Sequence, residues 1–281
     1  MRFSKKIIAA LIRLTRTWNL LILVFAQYFT ARFLLKADIF SDWRLLLLCV
    51  SSSLIAAGGY VINDYYDVKI DLVNNPNRVV VGKSVPRRYA ILLHGLLSVS
   101  GIALASFVSW WIVAINIFSV SLLWFYSNLL KRLPFVGNFA VALLTGLSIA
   151  VLNVLYGVFN PMVMVYAVFA FFMTLVREII KDMEDLKGDN TYGCKTIPIV
   201  WGIRRTKNLL YLIIAVFGIA VLLINHLYVK LPVIYFAMLL FVPLAWLVVQ
   251  LVKADTKKDY SWLSSFCKVI MLLGILSMAI V

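Results

Sequence analysis

A succession of apolar runs, each about as long as a bilayer's hydrocarbon core is thick, constrains this chain more than any other feature. A helix needs roughly 20 apolar residues to cross that core. Such runs fall near residues 18–35, 43–62, 89–109, 111–129, 135–155, 160–180, 208–227, 231–252 and 262–281. Between some neighbours, at Trp110-Trp111 and from Gly157 to Pro161, there is room only for a turn, which forces antiparallel packing. Of the 281 residues 63% are hydrophobic and only 14% charged, whereas soluble domains carry about 25% charged residues. The expected fold is a single all-α integral membrane domain, residues 1–281, with nine transmembrane helices.

Lys and Arg orient the array. Five precede the first run (Arg2, Lys5, Lys6, Arg13, Arg16), five follow the second (Lys69, Arg78, Lys83, Arg87, Arg88) and two follow the fourth (Lys131, Arg132). Seven end or follow the sixth (Arg177, Lys181, Lys187, Lys195, Arg204, Arg205, Lys207), and three follow the eighth (Lys253, Lys257, Lys258). The opposite side collects only Arg32, Lys36, Arg44 and Lys230. Because cytosolic loops carry the basic excess, the N-terminus is expected in the cytosol and the C-terminus outside the cell membrane. The net charge of +15 then reads as a topology signal and as contacts to anionic phosphates or lipid heads, with no nucleic-acid partner. Arg13 and Arg16 interrupt the first apolar stretch and no small-residue cleavage site follows, so the start reads as an amphipathic lead-in and not a signal peptide. Cys49, Cys194 and Cys267 are widely separated and odd in number, which gives neither a disulfide framework nor a zinc spacing. No sequence feature sets an oligomeric state.

Against this oily background one stretch stands out: Asn63-Asp64-Tyr65-Tyr66-Asp67-Val68-Lys69-Ile70-Asp71. On a helix, Asp64, Asp67 and Asp71 share a face at i, i+3 and i+7, and Asn63, Asp67 and Asp71 form a row at i, i+4 and i+8 on nearly the same side. Like charges so aligned repel unless a cation lies between them. Asp182, Asp185 and Asp189 repeat the 3-then-4 spacing at the end of the sixth run. Each acidic stretch is followed by a basic loop, the first with Arg78 and Lys83, the second with Lys195. Four helices separate them, so a parallel duplication is expected, two four-helix repeats plus a ninth helix around a central cavity. A repeat interface is where such proteins place their site.

Acidic charge at a cytosolic helix end has a bland reading, solvated loop charge, which two matched clusters disfavour. Cation or lipid carriage is a second reading, weakened by the lack of carboxylates in mid-span. The third is a diphosphate site. Mg2+ takes oxygen ligands and is typically held by one or two carboxylates plus substrate phosphates. Two acidic faces then hold an ion each, and Arg78, Lys83, Lys131, Arg132 and Lys195 neutralise the remaining charge of a diphosphate between them. An apolar cavity above suits an isoprenoid tail, and an allylic diphosphate in that place ionises to a carbocation.

The paired pattern Asn63-Asp64-x-x-Asp67-x-x-x-Asp71 and Asp182-x-x-Asp185-x-x-x-Asp189 resembles the UbiA superfamily of intramembrane prenyltransferases. Tyr126-Ser127-x-x-x-Lys131-Arg132-x-Pro134-x-x-Gly137-Asn138 and Arg16-x-x-Asn19 add to the resemblance, which covers the whole chain. Where the family often has Arg-Pro after the first motif, Arg78 is followed by Val79. The resemblance implies a Mg2+-dependent enzyme that transfers a prenyl group from a polyprenyl diphosphate to a lipophilic acceptor. It implies that Asn63, Asp64, Asp67 and Asp71 hold one Mg2+ and Asp182, Asp185 and Asp189 a second. It further implies that Lys131 and Arg78 grip the diphosphate, and that the Tyr126 ring steadies an allylic cation. Lys83, Arg132, Asn138 and Lys195 join the substrate-binding set, while Arg16 and Asn19 either face the acceptor or serve the first turn. The second motif, with Arg177-Glu178 ahead of it, is most similar to the branch that alkylates a prenylglyceryl phosphate. A transferase with an aromatic acceptor is the alternative. A phosphotransferase acting on CDP-alcohols is set aside because its Asp-Gly-x-x-Ala-Arg opening is missing.

Other residues carry less. His94 and His226 stand alone, Tyr28, Trp43, Trp110 and Trp111 suit an interfacial aromatic belt, and Gly58-Gly59 and Gly146 suit close helix packing. Lys253 to Lys258 reads as a loop on lipid heads.

Overall fold

The computed structural model describes residues 9–77, 79–229 and 237–280. Arg2, Lys5, Lys6, Arg78, Lys230 and the terminal Val281 lie outside these. After a short helical segment at 9–14, the chain forms α1 (Thr17–Phe29), continued by a π turn over Thr30–Leu34. There follow α2 (Trp43–Asn74), α3 (Arg87–Ser106), α4 (Trp110–Asn128), α5 (Val136–Tyr156) and α6 (Pro161–Glu184). The short α7 (Leu186–Thr191) leads into α8 (Ile197–Ile224), and α9 (Val242–Lys253) and α10 (Lys257–Ser277) complete the order. Among the described residues the only β feature is an isolated bridge between Val81 and Val85.

Side chains set several helix starts. Asp42 accepts from the amides of Arg44 and Leu45 to open α2, and Ser109 does the same for Trp111 at α4. Asn160 caps α6, with Pro161 in the first turn where its missing N–H costs nothing. Thr256 and Asp259 form a reciprocal capping box at α10. Gly157 ends α5 at φ +63°, a conformation that suits a residue without Cβ.

Seven helices among the described residues are long and apolar enough to cross a membrane. They are α2 to α6, α8 with its π extension, and α10. The first expected span is split, with only 13 residues of α-helix before its π turn. The eighth expected span, 231–252, lies partly outside the described residues, and α9 alone is 12 residues long. Two boundaries also differ from expectation. Helix α2 runs on to Asn74, so the first acidic motif rides on the end of a spanning helix, and α8 begins at Ile197 instead of near 208. Gly202, at φ +78° and ψ +161°, kinks α8 after its first turn and a half.

Lipid tails are as apolar as Leu, so the hydrophobic effect does not hold such helices together; close packing and internal hydrogen bonds do. Large apolar side chains accordingly face outward, Trp18, Trp110 and Phe40 among them, while polar side chains are buried. Asn116 on α4 donates to Ser51 on α2 at 2.7 Å, and Ser51 donates to the carbonyl of Gly101 on α3 at 2.7 Å. A Cβ on Gly101 would sit 2.7 Å from Ile55, and one on Gly146 3.0 Å from the carbonyl oxygen of Ala167 on α6. Small residues thus bring α2 against α3 and α5 against α6. One apolar core unites α6, α8, α9 and α10, and another unites α2, α3, α4 and the end of α5. A third joins α1, α5, α6 and α10 across the two halves.

Candidate functional site

Between the halves lies a cavity of about 410 Å3. The two acidic faces line it at one end. Asn63, Asp67 and Asp71 come from α2, Asp182 from α6, Asp185 from the α6–α7 junction and Asp189 from α7. The remainder is largely apolar, with Leu23, Ile55, Ile149, Phe169 and Met271 among its walls.

The helical period aligned each acidic row, but one side chain joins them. Asn74, in the last turn of α2, donates from Nδ2 to the carbonyl of Asp185 at 3.0 Å. Its Oδ1 accepts the amide of Gly188 at 2.8 Å. Residue 188 has to be glycine for this approach, since a Cβ there would fall 2.4 Å from the Asn74 amide. Lys257 at the start of α10 then donates to the Asn74 carbonyl at 2.6 Å.

Basic side chains pair with three of the carboxylates, and an amide meets a fourth. Lys131, in the 3-10 turn Leu130–Arg132, pairs with Asp67. Gly137 permits that turn to fold onto α5, as a Cβ there would meet the Lys131 Cα at 2.8 Å. Lys181 pairs with Asp185 at 2.6 Å across one helical turn. Asn138 donates to Asp182 at 2.9 Å. Arg16, held at φ +50° just before α1, reaches Asp64 at 3.0 Å and lies over the Tyr60 ring at 4.8 Å. A non-glycine residue in this left-handed conformation costs roughly 1–2 kcal/mol. Asp189, which lies outside the spanning helices, has its carboxyl pushed up from 3.8 to about 7 by burial, with Asp185 and Asp67 adding repulsion.

The donor set fits Mg2+. Every ligand type on the two acidic faces is a hard oxygen. The Oδ1 atoms of Asn63 and Asp185 are both buried and accept no hydrogen bond, so two oxygens wait without a partner on opposing faces. Among the described residues no three Asp, Glu, His or Cys side chains converge closely enough to cage an ion alone.

Of the other expected residues, Tyr126, Lys131, Asn138, Arg16 and Asn19 line the cavity. Asp64 does not, being turned to Arg16. Lys83 is exposed and donates to the Pro76 carbonyl at 2.8 Å. Arg132 and Lys195 are exposed and meet through their backbones, the Lys195 amide donating to the Arg132 carbonyl at 2.8 Å. These three side chains stay outside the cavity wall. Residues not singled out as ligands line it instead: Arg177, Glu178 and Lys181 on α6, and Lys268 on α10. Arg177, Lys181 and Asp185 follow the same i, i+4, i+8 row that marks the aspartates, and Lys268 is a lone charge in an apolar run.

Comparison with known proteins agrees with this geometry. The model of the UbiA prenyltransferase family matches residues 22–274. A digeranylgeranylglyceryl phosphate synthase from Pyrococcus abyssi is 37% identical over 62% of this chain and 61% of its own length, so the match spans less than two thirds of that relative. One from Korarchaeum cryptofilum is 31% identical over 84% of this chain and 85% of its own. A solved digeranylgeranylglyceryl phosphate synthase structure has a TM-score of 0.71 at 24% identity, covering 100% of this chain and 98% of that one. A UbiA homologue from Archaeoglobus fulgidus bound to GPP and Mg2+ has a TM-score of 0.69 at 16% identity, covering 97% and 100%. With helices, acidic faces and cavity in place, the chain belongs to the UbiA prenyltransferase family.

Proposed function

We propose that this protein transfers a prenyl group, geranylgeranyl-like in length, from an allylic polyprenyl diphosphate to the free hydroxyl of a prenylglyceryl phosphate. The observation that carries the reading is the meeting of two aspartate faces and Lys131 at one end of a cavity whose other end is apolar. The diphosphate lies at the charged end and the isoprenoid tail along Leu23, Ile55 and Phe169. Two Mg2+ ions, one per acidic face, supply charge neutralisation that makes diphosphate a good leaving group. Asn63, Asp67 and Asp71 hold one, and Asp182, Asp185 and Asp189 the other. Lys131 turns from Asp67 toward the diphosphate, and Arg78, which lies outside the described residues, joins it. Tyr126 presents its ring to the allylic carbon as cationic character develops there. The acceptor oxygen bonds to that carbon as its bond to diphosphate breaks, and the hydroxyl proton leaves with the released diphosphate. Relatives named digeranylgeranylglyceryl phosphate synthase support the choice of acceptor.

The same reading places one domain of nine spans in the cell membrane. Both acidic motifs and the N-terminus face the cytosol and the C-terminus faces outside. Supporting it, the Arg16–Asp64 contact brings the start of the chain to the end of the bundle that carries both motifs.

The test is turnover of purified protein offered a prenylglyceryl phosphate and 4-hydroxybenzoate together with one prenyl diphosphate. Excess chelator is expected to abolish turnover and added Mg2+ to restore it. Asp67→Ala and Asp185→Ala are each expected to lose on the order of 100-fold or more. Prenylated benzoate as the main product overturns the acceptor, and full turnover in chelator overturns the metal-diphosphate site.

A further inference from the structure

One group of charges in the cavity has no part in holding the metals or the diphosphate. Arg177 on α6, Glu178 beside it and Lys268 on α10 all line the cavity wall. Arg177 pairs with Glu178 through one terminal nitrogen, while its Nε is buried with no hydrogen-bond partner. Lys268 makes no ion pair or hydrogen bond among the described residues, and the charged groups in electrostatic reach of it include Arg177, Arg16, Lys181 and Glu178. Glu178 compensates Arg177, which leaves Lys268 as an excess positive charge among other cations.

The depth of these groups makes the excess informative. Lys268 is 11 residues into α10 from Lys257, and Arg177 is 7 residues before the end of α6 at Glu184. At 1.5 Å per residue they sit roughly 16 Å and 10 Å inward from those helix ends, deeper than Asp182 and Asp185. A cation near the middle of a spanning helix is costly, rare, and turned to an interior cavity or a partner. Here Lys268, an exposed residue that lines the cavity, lies in reach of three other cations, and an anionic ligand bound by Lys268 and Arg177 together relieves that repulsion.

We propose that Lys268 and Arg177 form the binding site for the phosphate of the acceptor lipid, a site separate from the diphosphate site at the acidic faces. The inference rests on the acceptor reading above. The donor's diphosphate is drawn to Lys131 and the metal-binding oxygens, while its allylic carbon and tail extend inward. A glycerol backbone keeps the acceptor's phosphate within a few bonds of its free hydroxyl. A phosphate held by Lys268 and Arg177, at the depth of Asn63 and Asp67 on α2 and one to two turns inward of Asp182 and Asp185, therefore brings that hydroxyl toward the allylic carbon. Lys268 offers a point charge, and Arg177 an unused N–H beside its bonded pair, which together select a phosphate head over an uncharged one.

The experiment compares wild type, Lys268→Gln and Lys268→Arg on two acceptors, a prenylglyceryl phosphate and the same prenylglycerol without phosphate. Lys268→Gln is expected to raise KM for the phosphate lipid about 10- to 100-fold, the scale of one charged hydrogen bond, with donor KM and Mg2+ requirement unchanged. Lys268→Arg is expected to recover most of the loss. With prenylglycerol, wild type and Lys268→Gln are expected to be equally poor. A thermal shift produced by the phosphate lipid without donor is expected in wild type and not in Lys268→Gln. Equal losses on both acceptors, or a raised donor KM, overturn the assignment. A wild type that releases diphosphate yet never alkylates the phosphate lipid overturns the acceptor reading itself, a failure distinct from an unaffected Lys268→Gln.

Discussion

Asn74 and Asp189 show how much of this site depends on single side chains. The Asn74 amide holds α2 to the Asp185–Gly188 turn with two hydrogen bonds, one given and one received. Replacing it by Ala takes the Asn74 acceptor from the buried Gly188 amide, at about 1–3 kcal/mol, and leaves the Asp185 carbonyl with the Asp189 amide alone. Asn74→Ala is therefore expected to lower thermal stability and to raise the Mg2+ concentration giving half-maximal activity, because the two acidic faces no longer hold their spacing. A Mg2+ titration of the variant checks this. Asp189 carries a pH signature. Its carboxyl, raised from 3.8 to about 7 by burial and by Asp185 and Asp67, resists ionisation in the folded protein more than in the unfolded chain. Below about pH 4 both forms are protonated and the group costs nothing; as pH rises to about 7 the fold loses stability, and above that the loss is constant. Chelated protein is expected to melt at lower temperature across this window, with Mg2+ binding tightening over the same range since it takes the ionised form. Thermal unfolding at several pH values checks this, and Asp189→Asn is expected to reduce the slope.

At the scale of elements, the helix ends decide where chemistry sits. Helix α2 runs 32 residues, so Asp67 and Asp71 are carried on a rigid rod instead of a loop. In α8 the break comes inside the helix, at Gly202, after Ile197 and Pro198 have packed into the core. Gly202 adopts φ +78° and ψ +161°, a region open almost only to glycine, and a Cβ there would meet nothing within 4 Å. The restriction is therefore backbone strain alone. Gly202→Ala is expected to destabilise by roughly 1–3 kcal/mol without filling or emptying any space. A comparable loss in Gly202→Val, despite the larger side chain, distinguishes strain from crowding. The seven helices that pass as membrane spans were legible because an apolar run of the right length has few other fates. That Asn63 to Asp71 lie on a helix was legible in their spacing; that this helix is one rod with the second span and stops only at Asn74 was not, because nothing local fixes its end until Asn74 is seen holding it in place.

For the whole molecule, the bundle sets both acidic faces and Arg16 at one end. In the proposed orientation a cysteine at position 190, with Cys49, Cys194 and Cys267 removed, is expected to resist a membrane-impermeant reagent in intact cells and to react once the membrane is opened. Reaction in intact cells reverses the orientation. The sequence by itself determined the class of the molecule and the two acidic rows, because apolar length and the 3.6-residue period are local properties of the chain. Only the tertiary structure decided that the rows meet through Asn74 and Gly188, 114 residues apart, and which cations join them. Lys83, Arg132 and Lys195 were as basic as Lys131, yet their side chains stay outside the cavity, while Lys181, Arg177 and Lys268 line it. Charge is written in the residue, but the direction in which it points is set by which helices pack together, and that packing depends on contacts far apart in the chain.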